Sequence, residues 1–192
     1  MDSKSEEYYR RTAVKIVDAI HDFGPHLIVH TGRSSRPAWS LITEAWRRRY
    51  PKKPLPHVKH FDNVKPEDVR EKKIALVEEV VVSGSTLKRT ADKLSAHAPA
   101  QIAFFAFVDA GQSYVSGFDS KMLRTGDWPP KGNDQPVRAD LGINLRNQLV
   151  RSIPGRKNNK WAEEILKKDR ERISEKRAEL RRIASSIKPR KQ

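Results

Sequence analysis

The 192-residue chain contains no cysteine. That excludes disulfides, thiolate metal centres and cysteine nucleophiles, and it fits a reducing intracellular setting. Long apolar runs are also missing, and none approaches the roughly 18 residues of a membrane span. The opening Met1-Asp2-Ser3-Lys4-Ser5-Glu6-Glu7 has neither the basic start nor the apolar core of a secretory signal. The cytoplasm is therefore the expected location, with no membrane partner. Aromatic residues make up only 7%, and no RNA-recognition motif occurs. Any nucleic-acid contact would be directed at phosphates rather than at stacked bases. No His-Glu-x-x-His pattern is present. His26 and His30 would stand about 13 Å apart along a strand, too far to share one metal ion.

Acidic residues are the minority. Lys and Arg number 39 against 24 Asp and Glu, a formal net charge of +15, which favours anionic partners. The excess is uneven: residues 151–192 hold 15 Lys and Arg against 6 Asp and Glu. A concentration of that kind in one tail points toward a polyanion such as RNA. The length suits one well-buried domain with an appendage rather than two full domains.

Along the chain, Tyr8 to His21 places Ala13, Ile16, Val17 and Ile20 on one helical face, and Gly24-Pro25 stops it. His26 to His30 reads as a short strand, residues 31–37 as a polar loop, and Ala38 to Arg49 as a helix entered through Pro37. Tyr50 to Pro56 is a stiff, proline-rich connector. His57 to Phe61 is a second strand, and Asp62 to Lys72 a charged loop with room for one helical turn. Ile74 to Val77 is apolar without alternation, the pattern of a strand buried on both faces. Glu78 and Glu79 then stand at its carboxyl end, before a Ser-Gly-Ser-Thr loop and a helix from Leu87 to Ala96. Gln101 to Val108 is the most strand-like segment of the chain. Strands and helices alternating at this spacing predict an α/β fold with an open parallel sheet, and ligands bind such sheets at the carboxyl ends of the strands.

Residues 110–150 are rich in glycine and proline, with a short helix expected over Leu145–Ser152. Asn159 to Ile187 reads as one long basic helix. Leu166, Ile173, Leu180 and Ile187 recur every seven residues on it, a row suited to docking along the domain or to pairing with another helix, as in a homodimer. The division expected is a domain over 1–150, including a variable segment at 110–150, and a basic helical extension over 151–192.

The chemistry concentrates in residues 74–86. A Gly-containing polar loop opening a helix offers backbone N–H groups and small hydroxyls to a phosphate. Two carboxylates beside it suit sugar hydroxyls, directly or through a magnesium ion. The ligand so described is a phosphorylated sugar.

The segment Ile74-Ala75-Leu76-Val77-Glu78-Glu79-Val80-Val81-Val82-Ser83-Gly84-Ser85-Thr86 resembles the phosphoribosyl diphosphate (PRPP) motif of type I phosphoribosyltransferases. The resemblance implies a phosphoribosyltransferase-like, Rossmann-like open sheet over residues 10 to 110. It implies that Glu78 and Glu79 hold the ribose hydroxyls and that Val82, Ser83, Gly84, Ser85 and Thr86 cradle the 5′-phosphate. Thr31, Gly32, Arg33 and Ser34 fall where the family places its diphosphate loop. Magnesium would then arrive with PRPP rather than by direct side-chain ligation. The implied reaction is transfer of ribose 5-phosphate to a nitrogen base with release of diphosphate. Tyr114, Phe118, Asp127 and Trp128 are candidates for holding the base.

Two features depart from the family pattern. The second acid is usually Asp, and here it is Glu79. The connection at Asp62–Lys72 is shorter than the mobile loop that closes over PRPP in catalytic members, although Lys65, Arg70, Lys72 and Lys73 are placed to reach a diphosphate. Two functional classes therefore stand: a PRPP-dependent transferase, and a non-catalytic regulator that senses PRPP or a nucleotide and carries RNA on its basic helix through Arg177, Arg181 and Arg182. A structural nucleic-acid-associated protein with an idle pocket is a third.

Overall fold

A computed structural model describes residues 3–31, 36–81, 85–109, 123–125 and 160–190. Helix α1 (Ser3–Phe23) leads into β1 (Leu27–His30), α2 (Arg36–Arg49) and β2 (His57–His60). A 3-10 turn (Phe61–Asn63) and the one-turn α3 (Pro66–Val69) lead to β3 (Lys73–Val81), α4 (Ser85–Ser95), β4 (Gln101–Asp109) and β5 (Leu123–Thr125). A long helix, α5 (Lys160–Ser185), follows. Most expected segment boundaries agree within two residues where they fall on described residues, but α1 begins five residues earlier than expected, at Ser3. The helix expected over Leu145–Ser152 and the base-holding candidates lie outside them.

All five strands are parallel, in the order β2-β1-β3-β4-β5. This is the open α/β sheet expected from the alternation of strand and helix patterns. Leu27, Val29, Ile74, Leu76, Phe104 and Ala106 face one helical layer, where they meet Val69 of α3 and Leu87 and Leu94 of α4. Ile28, Ala75, Val77 and Phe105 face the other, packed on α1, α2 and the end of the chain. Side chains of a strand alternate between faces, so both faces of β1 and β3 can be apolar only if both are covered.

Helix α1 buries Ala13, Ile16, Val17 and Ile20, the face read from its periodicity. It ends as its sequence directs: Gly24 takes a left-handed φ of 64° and returns its N–H to the Ile20 carbonyl. One strand differs from expectation. β3 does not end at Val77 but runs on to Val81, so Glu78 and Glu79 lie inside it. β4 pairs alongside it as far as Val81↔Asp109, and this supplies the backbone partners that an isolated strand end would lack.

The basic helix α5 docks within the chain. Leu180, Ile183, Ala184 and Ile187 join the core formed by α1, α2 and the sheet. Of the seven-residue row, Leu166, Leu180 and Ile187 are buried. Asp169, on an intermediate position of the same row, is buried as well. Beyond the helix the chain is held at the ends of α1 and α2. The Arg190 N–H donates to the Arg49 carbonyl at 3.0 Å, and the Arg190 guanidinium donates to Asp22 Oδ1 at 2.7 Å and Tyr50 Oη at 2.9 Å. Tyr50 Oη in turn donates to Asp18 Oδ1 at 2.8 Å, while Arg49 binds both Asp18 oxygens at 2.9 and 2.8 Å.

Burial alone would raise the Asp18 carboxyl, but the hydrogen bonds from Arg49 and Tyr50 hold it below the ordinary range. A carboxylate depressed in this way stabilises the fold at pH above its unfolded value, and the contribution is lost as pH falls through the folded one. Asp18→Asn is therefore expected to cost about 1–3 kcal/mol at pH 7, lowering the melting temperature by several degrees. The deficit relative to wild type should shrink in scans run at progressively lower pH below 4. A constant deficit across that range would show that Asp18 acts through shape and not through charge.

Candidate functional site

The strand order sets where a ligand can enter. The chain steps outward from β1 to β2, then returns across β1 to lay down β3, β4 and β5. The connections leaving β1 and β3 therefore run to opposite faces of the sheet, and a crevice opens between the carboxyl ends of these two strands. β1 pairs with β3 as far as His30↔Val77. One residue further on, Thr31 and Glu78 stand side by side, and the Thr31 hydroxyl donates to Glu78 Oε2.

Glu78 is largely buried there. Burial pushes its carboxyl above the ordinary range, and the Thr31 hydroxyl draws it part of the way back. A carboxylate accepts on both oxygens, so Oε1 can take a ligand hydroxyl while Thr31 steadies Oε2. Helix α4 begins at Ser85, four residues beyond the end of β3, with Ser85 exposed and Thr86 half-buried in its first turn. Its N-terminal N–H groups carry partial positive charge and so suit an anion.

The structure thus sets Thr31 against Glu78, and places Ser85 and Thr86 at the start of α4, which follows β3. The backbone of Glu79 lies next in β3, but its side chain is outside the described residues. Gly32, Arg33, Ser34, Val82, Ser83 and Gly84 also lie outside them. Arg177, Arg181 and Arg182 sit on α5, with Arg181 and Arg182 exposed and Arg177 half-buried. Arg182 is engaged with Glu6 of α1.

Between β2 and β3 the chain is pinned. Lys59 Nζ lies 2.7 Å from both Asp68 oxygens, and the Lys65 N–H donates to Asp68 Oδ2 at 2.8 Å. Hydrogen bonds from Lys59 and from the Lys65 backbone hold the Asp68 carboxyl below its ordinary range. Val69 of the same turn is fully buried.

One pair escaped the sequence reading. His30 and His60 end β1 and β2 in register, with ring centroids 4.9 Å apart and an edge-on angle of 78°. Trp39 of α2 lies against His30, with centroids 5.9 Å apart. Spacing along each strand showed only distant histidines. The signal was that both close short strands, which parallel pairing then sets abreast.

Among the described residues no three His, Asp or Glu side chains converge as a metal-ion set. None of the described helices is long and apolar enough to cross a membrane.

No protein-family profile and no curated protein sequence matches the chain. Its fold does match solved structures. One is a hypoxanthine phosphoribosyltransferase from Staphylococcus aureus, 13% identical, with 66% of this chain and 76% of that chain covered and a TM-score of 0.50. Another is a hypoxanthine-guanine-xanthine phosphoribosyltransferase, 8% identical, covering 63% and 74% of the two chains, also with a TM-score of 0.50. The fold is thus phosphoribosyltransferase-like, and at these identities the likeness concerns the fold alone.

The raised Glu78 carboxyl bears on the stability of the protein without ligand. An acid whose value is raised by folding adds stability below its unfolded value, and that contribution is lost as pH rises through the folded one. At neutral pH the ionised carboxylate therefore burdens the fold. Glu78→Gln should raise the melting temperature at pH 7.5 by about 2–4 °C, roughly 1 kcal/mol, with the gain vanishing near pH 4. A destabilised variant at pH 7.5 would mean that Glu78 is a structural anchor.

Proposed function

We propose that this chain binds PRPP at the carboxyl edge of the sheet and transfers its ribose 5-phosphate group to a nitrogen base, releasing diphosphate. The observation that carries the reading is the placement of Glu78 against Thr31 at the β1/β3 crevice, in the strand that leads to α4. Glu78 and Glu79 would hold the ribose hydroxyls, and residues 82–86 the 5′-phosphate. Thr31, Gly32, Arg33 and Ser34 would cradle the diphosphate.

In the reaction the base nitrogen forms a bond to ribose C1 as the bond from C1 to the diphosphate oxygen breaks. The electron pair leaves with diphosphate, and the displaced N–H proton goes to solvent or to a basic group. Positive charge develops on the sugar ring in between. The two glutamates would balance that charge, while Arg33 and the loop N–H groups stabilise the departing anion. Magnesium bound to PRPP would further neutralise the diphosphate. In this reading residues 1–150 form the transferase domain, with the base held by 110–150, and residues 151–192 form a basic extension. The resemblance of the fold to purine-base enzymes makes hypoxanthine and guanine the first acceptors to test.

A second reading is supported by the segment between β2 and β3. The Lys59–Asp68 pair and the buried Val69 hold it down, whereas closure over a substrate needs a free loop. This favours a protein that binds PRPP or a nucleotide without turnover and offers its basic surface to RNA. Arg181 is the cleaner probe of that surface, because Arg182 also holds Glu6. Arg181→Glu should weaken RNA binding severalfold in low salt and leave PRPP affinity intact; equal loss of both would place Arg181 in the fold or the pocket.

The deciding experiment is calorimetric titration with PRPP and magnesium, followed by nucleobases one at a time with diphosphate release monitored. Turnover supports the transferase, and binding without turnover supports the sensor. The double variant Glu78→Ala/Glu79→Ala should bind PRPP at least tenfold more weakly while melting cooperatively. Retained affinity in that protein would sink the site assignment.

A further inference from the structure

Positive charge gathers at the end of the molecule opposite the crevice. Helix α1 leads straight into β1, and α2 reaches β2 through residues 50–56, so both helices end at the amino edge of the sheet. The chain beyond α5 comes to the same place. The Arg190 N–H donates to the Arg49 carbonyl at 3.0 Å, and the Arg49 guanidinium donates to the Lys188 carbonyl at 3.4 Å. The connector after α2 folds back under it: the Lys53 N–H donates to the Tyr50 carbonyl at 3.0 Å, and the Trp46 indole N–H to the Lys53 carbonyl at 3.1 Å. Residues 47–53 and 188–190 are thus tied by hydrogen bonds into one surface.

These two segments hold seven Lys and Arg and no acid. The acids that pair with them are Asp18 on Arg49, Asp22 on Arg190, and Glu44 shared by Arg47 and Arg48. Seven cations against three acids leave a surplus of four. Cations at helix ends also have a structural use, because each helix C-terminus carries roughly half a negative charge. The ends of α1, α2 and α5 together offset about 1.5 charges, so more than half of the surplus remains. Lys52 and Lys188 are exposed, and neither side chain forms an ion pair among the described residues. Lysines elsewhere stand with an acid each, as Lys88 does with Asp92 and Lys168 with Glu164.

What the surface lacks narrows the anion it fits. Trp46 and Tyr50 are buried, and the His21 ring stacks on Tyr50 with centroids 3.9 Å apart. These rings serve packing and offer no free face to an unpaired base, which is how single strands are held. The three helices that end here are packed on the sheet and on one another, so none is free to enter the major groove of DNA. An A-form RNA duplex presents phosphates and 2′-hydroxyls across a wide, shallow groove, and contact with it needs no inserted element. The geometry points to a docking surface for double-stranded RNA at the amino edge of the sheet, made by residues 47–53 and 188–190 and directed at the phosphate backbone. It stands apart from the PRPP reading of the crevice. It extends the RNA contact of the second reading from α5 to this edge and specifies a duplex.

The test uses the full chain without PRPP and three probes: a mixed-sequence RNA duplex of about 20 base pairs, the DNA duplex of the same sequence, and one RNA strand alone. Affinity is read by fluorescence anisotropy at salt concentrations from about 50 to 200 mM. Arg47→Gln/Lys52→Gln/Lys188→Gln removes three cations and leaves Glu44 paired with Arg48. This variant should melt like wild type, bind the RNA duplex about tenfold more weakly at the lowest salt, and flatten the slope of log K against log salt by about 2 to 3. The milder Lys52→Gln/Lys188→Gln, which breaks no ion pair among the described residues, should flatten it by about 2. Lys88→Gln/Arg89→Gln/Lys93→Gln on α4 makes the same change of net charge at the other face of the sheet and should bind within about twofold of wild type. Unchanged binding in the first two variants would overturn the surface, and equal loss in the α4 variant would reduce it to general attraction and overturn it as well. A DNA duplex bound as tightly as the RNA duplex, or a single strand bound more tightly, would overturn the assignment to double-stranded RNA. If wild type binds no RNA, this inference and the RNA part of the second reading fall while the crevice stands. Binding of the RNA duplex by a chain that ignores PRPP would uphold the surface and remove the crevice reading.

Discussion

The pairing of β1 with β3 is the constraint on which the rest depends. Leu27, Ile28 and Val29 are buried, and so are Ile74, Ala75, Leu76 and Val77 opposite them, so neither strand can satisfy its backbone with water. They must bond to each other and to their other neighbours, β2 and β4, in one register. A slip of one residue would turn Ile74 and Leu76 toward the wrong helical layer, so the register is strongly specified. The same register leaves Thr31 beside Glu78. The geometry of the site is therefore a by-product of packing two apolar strands, and it is as rigid as they are.

The helical layers make that burial possible, and much of the chain's charge serves them. Helices α1, α2 and α5 cover one face of the sheet, and cations on them and on the chain beyond α5 are engaged structurally: Arg49 by Asp18, Arg190 by Asp22 and Tyr50, Arg182 by Glu6. Asp18, Asp22 and Glu6 are thus committed to holding helices and the end of the chain together. With 39 basic residues against 24 acidic ones, the surplus that remains for partners is cationic. A protein whose ligand carries phosphates gains from that surplus through long-range attraction, whatever else the basic helix does.

The candidate site departs from the economy of the fold. Glu78 is an acid in a place where burial opposes its charge, and Thr31 offsets only part of that cost. His60 Nε2 is buried without a hydrogen-bond partner among the described residues. Both sit at the carboxyl edge of one sheet, one strand either side of Thr31. Polar groups that cost stability at one edge of a sheet mark a candidate site.

Much of this was legible in the amino-acid order. The unbroken apolar run at 74–77, the alternation of strand and helix patterns, the Gly24-Pro25 stop and the buried face of α1 all follow from local periodicity and turn chemistry, which act over a few residues. The paired acids and the Ser-Gly-Ser-Thr loop singled out the candidate site for the same reason. Three matters were decided only by the tertiary fold. β3 runs past Val77 because β4 pairs with it, and pairing partners are distant in sequence. The long basic helix lies on α1 and α2 because Leu180, Ile183 and Ile187 find an apolar layer there, which its own periodicity allows but does not choose over a partner helix. His30 and His60 meet because two short strands end level, and spacing along one strand carries no information about its neighbour. Sequence sets what each segment can bury and which groups it carries; the chain's folding back on itself decides which of those groups face one another.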